Sequence, residues 1–149
     1  MELIWDFDGT LFDTYPLMAQ SLRQALLDEG RDVPLEHIRA LMNVTLGHAL
    51  EQLKVSQRAL ERYKENLHKA GPLGVQPFPG ARELCERIVA EGGHNHLCTH
   101  RGSSARWYMD AQGLSERAVL YHLGDGRKRL SEKTGAGWGE LHFVAIQAE

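Results

Sequence analysis

The spacing of the apolar strands most constrains what this chain can fold into. A short apolar run at residues 2–6, bounded by acidic residues and glycine, suits a buried strand ending in a loop. No second strand candidate appears until His94–Thr99. Between them, residues 14–70 read as a bundle of short helices. Leu17-Met18, Ser21-Leu22 and Ala25-Leu26 recur at helical spacing, with Gly30 as the stop. Pro34 sits at a first-turn position of a second helix that runs to about Met42. Thr45 caps a third and Ser56 a fourth. Residues 71–80 then hold three prolines and three glycines, which cannot continue a helix.

After that break a helix carries Ala81, Leu84, Cys85 and Ile88 on one face and ends at Gly92-Gly93. The strand 94–99 follows, then a helix from Ser103 to about Gln112, in which Trp107 and Tyr108 suit packing. Further strands are expected at 118–123 and 141–146. Strand and helix alternate everywhere outside the insert. The expected fold class is therefore α/β, a Rossmann-like parallel sheet core with an inserted helical cap. Its domains are 1–13 with 79–149 for the core and 14–78 for the insertion, and the C-terminal part of the core is shortened or atypical.

Bulk properties exclude several classes. A charge of −3 gives no basic footprint for nucleic acid. No apolar run approaches the roughly 20 residues of a membrane span. The N-terminus lacks a basic segment followed by an apolar one, so no signal peptide is expected. Cys85 and Cys98 are too few for a disulfide scaffold, so both are expected as buried thiols in a reducing cytoplasm.

The chemistry concentrates where the first strand ends. Asp6 and Asp8 lie two apart, so both carboxylates can face one side. Ligands of open α/β sheets bind beyond the carboxyl ends of the strands. Paired carboxylates there repel unless a cation or a shared proton offsets the charge. Mg²⁺ takes oxygen ligands and bridges carboxylate to phosphate. One carboxylate can then attack phosphorus while the other moves protons at the leaving group. Gly9 lets the backbone approach a bound anion, and Thr10 adds a hydroxyl and an amide. A lone Asp-x-Asp is more often an acidic turn; the whole string Asp6-Phe7-Asp8-Gly9-Thr10-Leu11-Phe12-Asp13-Thr14 is far more specific.

That string resembles the first motif of the haloacid dehalogenase superfamily, in particular its phosphoglycolate-phosphatase-like branch, over roughly residues 2–114. The resemblance implies that Asp6 is the nucleophile and Asp8 the general acid/base, and that residues 14–78 form a helical cap. Asp8 at the second position favours phosphate chemistry over carbon–halogen cleavage. The resemblance also assigns Thr99, within Leu97-Cys98-Thr99-His100-Arg101, to the phosphoryl group; His100, from its place beside Thr99, is expected as a neighbour of the phosphate. The family's third motif, a Lys, is not recognisable; Lys128 and Lys133 remain as substitutes, and neither lies at the family's spacing. Asp125 within Gly124-Asp125-Gly126 is the candidate for the acidic fourth motif and so a metal ligand beside Asp6 and Asp8, and reads equally as a turn aspartate.

The resemblance thus implies a Mg²⁺-dependent hydrolase of a small-molecule phosphate ester acting through an aspartyl phosphate. A degenerate, non-catalytic relative and a phosphomutase are the alternatives. A homo-oligomer covering an exposed sheet edge is a further consequence of a shortened core. His94, His96 and His100 could in principle form a metal trio, against the plainer reading as hydrogen-bonded histidines.

Overall fold

The computed structural model describes residues 1–99, 101 and 104–114, and the backbone at 120–122 and 141–144. The chain packs as two units, one of Met1–Asp13 with Val75–Ala148, the other Thr14–Gly74.

The first unit is built on four parallel strands: β1 (Glu2–Trp5), β2 (His94–Cys98), β3 (Leu120–His122) and β4 (Leu141–Val144). Their order across the sheet is β3-β2-β1-β4, which places β1 and β2 at the centre. Glu2 lies opposite His94 and Trp5 opposite Leu97, while β4 pairs with β1 from Leu141 to Val144. A central parallel strand is covered on both faces, so the consecutive apolar residues of β1 are all buried. The flanking helices bury one stripe each, Ala81, Cys85 and Ile88 from α5 (Ala81–Ala90) and Ala105, Tyr108 and Met109 from α6 (Ser104–Ala111).

The turn from α5 into β2 depends on glycine. A Cβ on Gly93 would stand 2.6 Å from the Met1 carbonyl oxygen and 2.9 Å from Ile88. That close approach lets His94 N–H donate to the Met1 carbonyl at 2.9 Å and begin the pairing of β2 with β1.

The second unit is helical throughout: α1 (Tyr15–Leu27), α2 (Leu35–Met42), α3 (Leu46–Gln52) and α4 (Gln57–Ala70). The Thr45 and Ser56 hydroxyls accept from the His48 and Ala59 amides at 2.9 Å, the capping the sequence predicts. Gly30 ends α1 with φ +79°, and the Gly30 and Arg31 amides donate back to Leu27 and Leu26. Pro34 falls one position earlier than expected, as the residue preceding α2. The unit has its own apolar core, in which Leu22, Leu26, Ile38 and Ala49 are fully buried. Among the described residues no helix is long and apolar enough to cross a membrane.

Two expectations need correction. Cys98 is only half-buried, because it ends β2, whereas Cys85 faces the core from α5; both are free thiols. Burial pushes the Cys85 thiol up to about 12, with Glu86 adding to it. Trp107 is exposed, since the buried stripe of α6 passes through Ala105, Tyr108 and Met109 and leaves it off the face.

Candidate active site

Beyond Trp5 the chain leaves the C-terminal end of the sheet and folds back on itself. The Phe7 carbonyl accepts from the Thr10 amide at 3.3 Å and the Phe12 amide at 3.0 Å, and Gly9 N–H donates to the Phe12 carbonyl at 2.9 Å. The reversal puts Gly9 at φ +72°, where a side chain would be strained. Phe7 and Phe12 are fully buried and their rings stack at 4.6 Å, anchoring the loop. With Phe7 turned inward, its neighbours Asp6 and Asp8 stay half-buried at the loop's surface. The Phe7 amide also donates to Asp6 Oδ1 at 2.8 Å, which holds that carboxylate. The amides of Gly9 and Thr10 donate within the loop, and Thr10 is buried.

The parallel register sets the end of β2 beside this loop. Thr99 follows Cys98 directly and is half-buried, and its Oγ1 accepts from the Arg101 amide at 3.1 Å. Arg101 then reaches across to Asp8. Its Nη2 donates to Oδ1 at 2.6 Å, and Nε donates to Oδ1 at 3.0 Å and to Oδ2 at 3.3 Å. The guanidinium lies 5.4 Å from the ring centroids of both Phe7 and Tyr108. A charge-assisted pair of this kind, with the arginine side chain 12% exposed, is held far more firmly than a surface ion pair.

Sequence reasoning gave Arg101 no role. An arginine two residues after a loop threonine looks like any solvated charge. Only the alignment of β1 with β2 brings it to a carboxylate 93 positions away. His100, Asp125 and Lys128 lie outside the described residues.

The histidines of β2 have a different partner. Glu2 accepts from His94 Nδ1 at 2.7 Å through Oε1 and from His96 Nε2 at 2.6 Å through Oε2, at the end of the sheet opposite Asp6. His96 is buried and His94 exposed. Burial works against the Glu2 charge, but hydrogen bonds from His96 and His94 and their positive charge outweigh it, leaving the carboxyl below its ordinary value.

Asp6 and Asp8 are hard oxygen donors, and Mg²⁺ commonly takes one or two carboxylates together with water and phosphate oxygens. The pair fits such an ion in kind. Among the described residues no cluster of three metal-binding side chains occurs, and Asp125 falls outside them.

Comparison with known proteins agrees with this architecture. No curated protein matches the sequence. Among solved structures, a hydrolase from Streptococcus pneumoniae TIGR4 superposes with a TM-score of 0.70 at 20% identity, over 97% of this chain and 91% of that one. A predicted phosphoglycolate phosphatase from Haemophilus somnus 129PT gives 0.68 at 18%, over 95% and 75%. A haloacid dehalogenase-like family protein from Streptococcus pneumoniae gives 0.74 at 15%, over 97% and 74%. At such identities these likenesses establish the Rossmann-like fold. The family itself follows from a sequence model, described as haloacid dehalogenase-like hydrolase, that matches residues 3–119 and so spans Asp6, Asp8, Thr99 and Arg101. By that match, together with its parallel sheet and the loop that ends β1, the chain belongs to the haloacid dehalogenase-like hydrolases.

Proposed function

We propose that the protein is a Mg²⁺-dependent phosphatase of small-molecule phosphate esters, working through an aspartyl phosphate on Asp6. The observation that supports this most directly is the folded loop after β1, which keeps Asp6 and Asp8 half-buried at the end of the sheet where the parallel partner β2 also ends. Asp6 attacks phosphorus as its anion, and the bond from phosphorus to the ester oxygen breaks. Asp8, carrying a proton, passes it to that oxygen, so the alcohol leaves neutral. Asp8 is then an anion and takes a proton from water. The hydroxide oxygen bonds to phosphorus, releasing phosphate and the Asp6 carboxylate. Thr99 binds a phosphoryl oxygen through its hydroxyl.

Mg²⁺ would be held by Asp6, with Asp125 as a further ligand, and would offset the charge of the phosphoryl group; the Asp8 carboxyl, engaged by Arg101, is left to the proton transfers. The helical unit would serve as the substrate-selecting cap. The setting would be the cytoplasm, where Cys85 and Cys98 stay reduced.

Asp6→Asn tests the reading. The variant keeps the side chain's shape, and Mg²⁺-dependent hydrolysis of an aryl phosphate should fall at least about 10³-fold, as when a catalytic nucleophile is removed. Activity retained in that variant sinks the mechanism.

A further inference from the structure

Arg101 is the feature of the site that the proposed chemistry does not use. Its contact with Asp8 is lopsided. Nη2 and Nε both hold Oδ1, at 2.6 and 3.0 Å, while Oδ2 meets Nε only at 3.3 Å. The guanidinium is itself confined over the Phe7 and Tyr108 rings, and the backbone amide of Arg101 donates to Thr99 Oγ1. A planar fork gripping one carboxylate oxygen fixes both the position and the rotation of the carboxyl group.

We propose that Arg101 is a positioning residue for Asp8, holding its carboxyl group in the place and rotation from which it serves the leaving oxygen. The proposal rests on the reading of Asp8 as the general acid/base. Because Arg101 acts through Asp8, its loss lowers turnover more than substrate binding. A carboxyl group displaced by about 1 Å can cost about 100-fold in rate.

The experiment compares wild type, Asp6→Asn, Arg101→Ala and Arg101→Lys on an aryl phosphate with Mg²⁺, each first shown to be folded by circular dichroism. Arg101→Ala should lose about 10- to 100-fold in kcat with KM changed less than about 3-fold. Added guanidinium chloride at millimolar concentration should restore part of that loss. Arg101→Lys should recover less than guanidinium does, because an ammonium cannot grip one oxygen with two donors. Loss of activity in Asp6→Asn with an unchanged kcat in Arg101→Ala overturns the positioning role and leaves the nucleophile intact. An effect of Arg101→Ala confined to KM also overturns it. Undiminished activity in Asp6→Asn overturns the underlying reading instead. A crystal structure of Arg101→Ala tests the positioning role without turnover: Asp8 should adopt a different or mixed rotamer, and an unchanged, ordered Asp8 rejects the proposal.

Discussion

At the scale of single residues, the polar side chains of the sheet unit are organised by partners far away in sequence. Glu2 is the clearest case for measurement. Its carboxyl ionises below its ordinary 4.5 in the folded chain. A depressed carboxyl contributes stability that is complete above the unfolded value and is lost as pH falls through the folded one. Glu2→Gln offers one acceptor where the carboxylate offers two, so one histidine loses its bond or must change tautomer. At pH 7 the variant should be about 1 kcal/mol less stable in urea unfolding. The gap should close as pH falls below the lowered Glu2 value, and a gap that widens at pH 3 contradicts the assignment. These partnerships also mark where the sequence stops being legible. The string Asp6–Thr10 announced its own chemistry, because its residues lie together in the chain. Asp8 with Arg101, and Glu2 with His94 and His96, become neighbours only through the pairing of β1 with β2. Periodicity identifies those strands without giving their register.

At the scale of elements, local signals were read well because the physics that sets them is local. Thr45 and Ser56 supply hydroxyls to amides three residues ahead, a geometry that needs only a few bonds of backbone. Thr45→Ala and Ser56→Ala should each cost about 1 kcal/mol, seen as a lower urea midpoint. The double variant should cost close to the sum, since the two hydroxyls cap different helices. The boundary at Pro34 was misjudged by one residue for an equally local reason. Proline suits both the first helical position and the extended residue before it, and its ψ of 137° puts it in the latter. Trp107 was read as a packing residue because an aromatic beside Tyr108 fits a helix face. The two are adjacent in sequence, however, and about 100° of rotation separates them, so one faces the core and the other does not.

For the whole molecule, the proposed metal chemistry has a thermodynamic signature that needs no substrate. An ion bound only by the folded chain raises its stability with concentration. Thermal unfolding should therefore move upward with millimolar Mg²⁺, and further with Mg²⁺ plus orthovanadate, while EDTA returns it to the metal-free value. The metal-dependent increment should shrink in Asp6→Asn; an equal increment in that variant would place the ion elsewhere. The Glu2 clasp has a bearing on this same site from the far end of the sheet. Each of its two histidines must meet a separate carboxylate oxygen, so it recognises only one alignment of β1 against β2. A slip of two residues keeps every side chain on its original face and leaves the apolar pattern satisfied, yet it would carry Thr99 and Arg101 about 7 Å along β1. Hydrophobic burial alone cannot penalise that error. The clasp can, and it thereby works as an index mark, a polar reference point at one end of two strands that sets the alignment of the reactive loops at the other.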